Sequence, residues 1–260
     1  MKSEELNMDK IKSIAVTGKG GTGKTVVSTI LIRLLAERFP GKVLAIDADS
    51  AMSLCYTTGL KVDKTVSMLR GDLLGSRQAR EALSDGPTKD LMRSILSHGN
   101  GFDLLTMGRP EEPGCFCACN ELLRFGIDTL IGDYEVCVVD GEAGPEQLNR
   151  RVMKSVDALL VMADMSARSL QTAAGIISVA NAGENNIDVK HSGLILNRVR
   201  ADQPTDELLK KVGLEVFGSL PEDAQVNKFD REGTSLFDLP LDSPCVEAVR
   251  AILKKLIPEF

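Results

Sequence analysis

The chain has 260 residues, with 31 Lys and Arg against 37 Asp and Glu and a formal net charge of −6. Hydrophobic residues at 43% and charged residues at 26% exclude a disordered chain and supply enough material for a substantial core. A mildly acidic total argues against a protein that grips nucleic-acid phosphates over a broad surface.

The N-terminus, Met1-Lys2-Ser3-Glu4-Glu5-Leu6, lacks the apolar stretch of a signal peptide, and residues 1–11 read as a flexible extension. The longest apolar run, Ala158 to Ala163, is far short of the roughly 18 residues a membrane span needs. A cytoplasmic location follows as an expectation, with the six cysteines reduced rather than forming a disulfide framework.

Ile14–Thr17 and Val43–Ile46 read as short buried strands, and between them Val27, Ile30, Leu31, Leu34 and Leu35 share one face of a helix over Val26–Phe39. Segment 60–100 is more polar, rich in turn residues, and reads as a helical insertion. Further strands are expected at Asp103–Thr106, Val136–Val139, Ala158–Met162 and Gly193–Leu196, and Ser243–Phe260 reads as a closing helix on the sheet. Strands alternating with helices give an α/β fold. The expected architecture is a single domain over 1–260, three layers deep, with a mostly parallel sheet flanked by helices. A ligand site belongs beyond the carboxyl ends of those strands.

Directly after the first strand stands Gly18-Lys19-Gly20-Gly21-Thr22-Gly23-Lys24-Thr25, which fits the GxxxxGK[ST] phosphate loop between a strand and a helix. Glycines let consecutive backbone N–H groups turn toward phosphate oxygens, and the helix beginning near Val26 points its positive end at the same anion. Lys24 can reach the β and γ phosphates, and the Thr25 hydroxyl can ligate Mg²⁺. The pattern identifies a P-loop NTPase.

The string GKGGTGKT, with its second lysine at Lys19, resembles the deviant Walker A loop of the MinD, ParA and nitrogenase-iron-protein class. The resemblance implies ATP/ADP as cofactor, and a homodimer in which Lys19 reaches the partner's nucleotide phosphates. A charge delivered in that way stabilises the transferring phosphoryl group. It also implies that Asp47-Ala48-Asp49 is switch I, with Asp49 orienting the attacking water and Asp47 in the outer coordination sphere of Mg²⁺. Asp140-Gly141-Glu142-Ala143-Gly144 resembles switch II, with Asp140 also in the outer sphere of Mg²⁺ and Gly144 near the γ-phosphate. Ser50 departs from the proline common after the switch I aspartate. Asn197-Arg198 ends another strand with an amide suited to an adenine edge. Gly218-Ser219-Leu220-Pro221-Glu222-Asp223 resembles the later loop that lies beside the adenine.

Cys115-Phe116-Cys117-Ala118-Cys119 follows a Gly/Pro-rich loop, and a helix is expected from Glu121 onward. Thiols two apart on an extended chain point to one side, and two of them supply half of a four-thiolate site. A two-fold dimer would supply the other half. Cys55, Cys137 and Cys245 read as ordinary buried thiols. Pro113-Gly114-Cys115-Phe116-Cys117, with the switch II string and Arg150-Arg151, resembles the CooC-type nickel-insertion ATPases. That resemblance implies Ni²⁺ or Zn²⁺ held by Cys115 and Cys117 between subunits, and a client such as carbon monoxide dehydrogenase. Cys119 lies outside the two-cysteine pattern: a third ligand, a spare thiol or a helix-start residue.

Two other classes remain open. An iron–sulfur electron carrier like nitrogenase iron protein would place a second cysteine just after switch II, where this chain has Pro145-Glu146-Gln147. A MinD- or ParA-like positioning ATPase would bind membrane or DNA. The terminal helix, with Val246, Val249, Leu253, Leu256 and Ile257, fits core packing better than a membrane surface. No nucleic acid and no membrane are the expectation.

Overall fold

Runs of aliphatic residues buried on alternate sides build the centre of the molecule. The structure, a computed structural model, describes residues 11–75, 88–109, 117–143, 155–182, 188–200, 213–258 and 260. The described strands are β1 Ser13–Gly18, β2 Val43–Asp47, β3 Ser97–His98, β4 Phe102–Thr106, β5 Val136–Ala143, β6 Ser155–Ala163, β7 Asp188–Val199 and β8 Val216–Pro221. They form one sheet in the order β3-β4-β2-β5-β1-β6-β7-β8. All pairings are parallel except that of β3 with β4.

The period-two alternation of a strand divides the core into two layers. Ile14 and Val16, Val43 and Ala45, and Val136 and Val138 face one side. There they meet α1 (Lys24–Arg38), α2 (Ser53–Thr58), α7 (Ala224–Glu232) and α8 (Pro244–Leu256). Leu44, Ile46, Cys137 and Val139 face the other. They are covered by α3 (Val66–Gly75), α4 (Thr88–Arg93), α5 (Cys117–Leu130) and α6 (Ala167–Asn181). This is the expected three-layer arrangement, and β1 at its centre carries the phosphate loop.

Several boundaries differ from the sequence reading. Helix α1 begins at Lys24, and Ser28, Thr29 and Ile32 are buried along with the expected apolar face, because the helix packs against α2 and α8 as well as the sheet. Ile11, assigned to the flexible extension, is buried in the core. Strand β5 runs on through Asp140 to Ala143, where a loop was expected. Gly218–Pro221 belongs to β8 rather than to a loop; in strands, the Gly and Pro there lie at an edge where such residues are tolerated. The 60–100 insertion contributes α3, α4 and the short edge strand β3. Helix α8 buries Cys245, Val246, Val249, Ile252, Leu253 and Leu256, so its apolar face is spent on the core. No described helix is long and apolar enough to cross a membrane.

At the amino edge, Asp157 staples β1 to β6. Its Oδ2 accepts from Lys12 N at 2.8 Å, Ser13 N at 2.8 Å and Ser13 Oγ at 2.9 Å, and Lys190 Nζ lies 2.9 Å from Oδ1. Burial pushes this carboxyl up, but the bonds from Lys190, Lys12 and Ser13 outweigh it and hold it below the ordinary carboxylate range. Replacing Asp157 with Ala leaves buried Ser13 donors unmet, and should cost about 2–4 kcal/mol of stability, read as a lower urea midpoint at neutral pH. Because the native carboxyl is depressed, that difference should shrink as the pH falls through its titration.

Candidate functional site

Strand β1 ends at Gly18 with φ +143°, where an added Cβ would fall 2.3 Å from the Met162 carbonyl oxygen. Only glycine passes there, and the chain turns out of the sheet into the loop. Thr22 N and Oγ1 donate to the Lys19 carbonyl, at 3.4 and 2.7 Å, closing the turn. Gly23 caps α1 at φ +89° with no side-chain acceptor and no acid in the first helical turn. The free amides at this helix start, together with the concave glycine turn, fit an anionic phosphate. Lys24 Nζ folds back to the Lys19 carbonyl at 3.4 Å, within the same concavity. Burial lowers its pKa, against the pull of Asp140 and Asp49.

Asp140 stands in β5 beside Asp47 at the end of β2, the two paired in register. It is almost fully buried, accepting from Thr25 Oγ1 at 2.7 Å and Ser28 Oγ at 2.8 Å. Burial raises its carboxyl to about 6, against those two bonds and Lys24. Asp47 is fully buried; its Oδ1 accepts from Asp49 N at 3.2 Å and its Oδ2 from Leu54 N at 3.0 Å, which seats the start of α2. Burial, with Asp140 second, raises it to about 7. Asp49 is half-buried, turns the chain by accepting from Ala51 N at 2.8 Å, and lies within electrostatic reach of Lys24. The Thr25 hydroxyl, with Asp140 and Asp49 near Lys24 and Asp47 beside Asp140, is a hard-oxygen set that fits Mg²⁺ beside a phosphate. Gly20 faces Ala143 across the loop, an added Cβ lying 3.8 Å away; Gly144 and Arg150-Arg151 lie outside the described residues.

On the base side, the amide of Asn197 is already in use. Its Nδ2 donates to the Thr22 carbonyl at 2.8 Å, and its Oδ1 accepts from Arg198 N at 2.9 Å. Asn197 therefore buttresses the phosphate loop, with one N–H and one lone pair left for a base. Arg198 takes φ +57°, at a register shift between β7 and β8 that turns it outward, exposed. Pro221 ends β8. Asp223 caps α7 through Gln225 N at 2.8 Å and accepts from Ser243 Oγ at 2.6 Å and Cys245 N at 3.2 Å, so its carboxylate ties two helices together rather than facing a ligand. Glu222 is exposed beside it.

The sequence reading missed Asp164. It follows β6 directly, next to the carboxyl ends of β1 and β7, and accepts from Ser166 N at 2.8 Å. Burial pushes its carboxyl up, yet Ser166 and the charges of Lys19 and Arg198 bring it below the ordinary value. An aspartate at the carboxyl end of an apolar strand, the signal that singled out Asp47 and Asp140, was present here too.

The cysteine segment divides. Cys115 lies outside the described residues. Cys117 opens α5, exposed and disulfide-bonded, which departs from the expectation of reduced thiols. Cys119 is buried to 1% exposure, and burial pushes its thiol up against the pull of nearby Arg70. The helix starts four residues earlier than Glu121, and residues two apart on a helix point to nearly opposite sides, so the alternation of thiols does not extend to Cys119. Cys55, Cys119, Cys137 and Cys245 are free and buried. Thr106 Oγ1 and Asn120 Oδ1, on either side of this segment, are buried without a hydrogen-bond partner.

The profile of the CobQ/CobB/MinD/ParA nucleotide binding domain matches residues 13–236. The chain belongs to that family. It is an ATPase of the P-loop class, and its relatives match over nearly their full length. An uncharacterised ATP-binding protein of Methanocaldococcus jannaschii is 39% identical over 251 residues, covering 94% of this chain and 98% of the relative. The carbon monoxide dehydrogenase accessory protein CooC of Rhodospirillum rubrum is 29% identical over 259 residues, covering 94% and 95%. In fold, the chain superposes on the septum site-determining protein MinD of Pyrococcus horikoshii, solved with Mg-ADP, at a TM-score of 0.70 and 20% identity, covering 95% and 96%.

The raised carboxyls give this family member a testable pH dependence. Asp47 and Asp140 titrate near 7 and 6 when folded, above the ordinary 3.8, so without nucleotide and Mg²⁺ the native state holds extra protons between those values. Stability from this pair is full below about pH 4 and is lost as the pH rises through 6 to 7. Melting in EDTA from pH 5 to 8 should show that decline, and Asp47→Asn should flatten it relative to wild type.

Proposed function

We propose that the chain is an ATP-driven metallochaperone that closes as a homodimer on nucleotide and delivers nickel to a client enzyme such as carbon monoxide dehydrogenase. The observation that carries the reading is placement. The phosphate loop, both carboxylate segments and the start of the cysteine-bearing helix share the carboxyl edge of one sheet, and Met107 N, just ahead of the cysteines, donates to the Asp47 carbonyl at 2.9 Å. The 29% identity to CooC supports the same reading.

In this reading the amides of Gly20 to Thr25 and the Lys24 ammonium hold the phosphates of ATP. Val26 sits in the same helical turn. Thr25 ligates Mg²⁺, which offsets the charge on the phosphates, while Asp140 and Asp47 hold its outer coordination sphere. Asp49, free on its second oxygen, orients the attacking water. Lys19 leaves its own loop to meet the partner's phosphates, where a positive charge is worth most to the transition state. Asn197, Arg198 and the Pro221–Glu222 backbone border the adenine. Cys115 and Cys117 of both subunits, reduced, provide four thiolates for Ni²⁺ or Zn²⁺ as cargo. Hydrolysis then opens the dimer and releases the ion.

The alternatives are weaker on specific grounds. An iron–sulfur carrier lacks its second cysteine in Pro145-Glu146-Gln147. For a membrane-positioning role, the last described helix, α8, already has its apolar face packed into the core.

Lys19→Ala should abolish ATP turnover, by about 10³-fold, while fluorescent-nucleotide binding stays measurable; turnover at the wild-type rate would remove the cross-subunit role. Reduced wild-type protein should bind nickel or zinc at one ion per two subunits by elemental analysis, and Cys115→Ala/Cys117→Ala should bind none. Unchanged stoichiometry in that variant would reject the metal reading.

A further inference from the structure

Helix α2 follows Asp47 and Asp49 directly, and it is short: six residues, Ser53–Thr58. A helix of that length does not hold itself and takes its place from its neighbours. Its buried side chains are Leu54, Cys55 and Thr58, while Tyr56 is 75% exposed, so Leu54 is the one large apolar side chain it buries. Its first turn is tied to switch I. Leu54 N donates to Asp47 Oδ2 at 3.0 Å, and Cys55 Sγ donates to the Met52 carbonyl at 2.8 Å. Met52, which joins the two, takes φ +56°, a left-handed conformation that a residue with a side chain keeps only where its surroundings impose it. The restraint comes from α1.

A threonine inside a helix ordinarily returns its hydroxyl to a carbonyl of its own preceding turn. Thr58 does so, donating to the Leu54 carbonyl at 2.8 Å. Thr57, beside it, has its own-helix carbonyls, Ser53 and Leu54, at 3.3 and 3.2 Å, and a closer partner in Thr29 Oγ1 of α1, at 2.6 Å. Thr29 is fully buried, and its Oγ1 also reaches the Thr25 carbonyl at 2.8 Å. Each hydroxyl has one proton to give. Both short contacts are met when Thr57 donates to Thr29 and Thr29 donates to Thr25, a relay from α2 to the residue whose own hydroxyl meets Asp140. Ser235 Oγ donates to the Thr57 carbonyl at 3.3 Å and holds the outer end of α2. We infer that Thr29 and Thr57 are positioning residues of the ATPase reaction: their hydroxyl bridge clamps α2 to the helix of the phosphate loop, and so sets Asp47 and Asp49 against Thr25 and Lys24. The bridge acts through the backbone of switch I. Its effect on turnover rests on the proposed role of Asp49 in orienting water; its effect on α2 does not.

The test uses the full chain. Thr29→Val and Thr57→Val each remove the bridge without stranding the other hydroxyl, since Thr57 falls back on the Ser53 and Leu54 carbonyls and Thr29 keeps that of Thr25. Each should lower kcat for ATP hydrolysis about tenfold, with KM for Mg-ATP within about twofold of wild type. Because both remove the same bond, the double variant should lose no more than either single one. Wild-type kcat in both single variants, or a loss in the double variant near the product of the two, would overturn the inference. Thr57→Ser keeps the hydroxyl and should hold kcat within about threefold of wild type; a loss as large as that of Thr57→Val would trace the effect to the methyl group and overturn the role of the bridge. Amide hydrogen exchange at Leu54 in nucleotide-free protein reads the clamp without turnover. It should be faster by about threefold or more in Thr57→Val and unchanged in Thr57→Ser, and a wild-type rate in Thr57→Val would overturn the clamp. Should Thr29→Val fail to fold, the half-buried Thr57 carries the test through its Val and Ser variants. Should Asp49→Asn turn over ATP at the wild-type rate, the water-orienting role fails by itself, and exchange at Leu54 still judges the clamp.

Discussion

A carboxylate buried at the end of a strand is costly unless its oxygens are met, and Asp140 is the point at which this molecule meets that cost. Thr25 and Ser28, one helical turn apart on α1, both donate to it, so the helix after the phosphate loop is registered against the sheet by two short bonds. Asp47 lies opposite in the next strand, and its own oxygens seat the backbone of Asp49 and the start of α2. Two acids so close and so buried resist ionising together. A divalent cation with a nucleotide phosphate supplies the missing positive charge, which is why the same arrangement that is strained when bare is suited to Mg²⁺ and ATP.

The parallel sheet turns this local constraint into a site. Because β1, β2, β4, β5, β6 and β7 run the same way, their carboxyl ends deliver the phosphate loop, the aspartates, Asn197 and the approach to the cysteines to one edge. Asn197 joins β7 to the loop through the Thr22 carbonyl, and a backbone bond joins β4 to Asp47. A main-chain contact thus joins the Asp47 segment to the end of β4, from which the chain leads toward the cysteines. Helix α3 holds the same stretch through Ser67, which donates to the Met107 and Arg109 carbonyls.

The phosphate loop was legible because its residue types are demanded by backbone geometry: glycine at positive φ, lysine and threonine at fixed offsets from a strand. Asp47, Asp49 and Asp140 were legible as acids at the ends of apolar strands. Asp164 carried the same signal and was passed over, since no motif surrounds it. The extension of β5 through Gly141 and the strand character of Gly218–Pro221 were hidden, because glycine and proline usually mark turns and only neighbouring strands override that preference. The start of α5 was hidden for a related reason: cysteines in alternation suggest an extended chain, but Asn120 and Cys119 are buried on the inner side of a helix.

The amino-acid order alone settled the layered α/β architecture, the central strand with its phosphate loop, and the chemistry of the residues at its rim, because periodicity and short motifs are local properties of a chain. It could not settle how those side chains are spent. That Asn197 supports a carbonyl, that Asp223 ties two helices, and that Asp157 meets Ser13 from a distant strand all depend on which elements lie side by side. Hydrogen bonds between distant residues are fixed by packing and strand register, and neither is written in any one stretch of the chain.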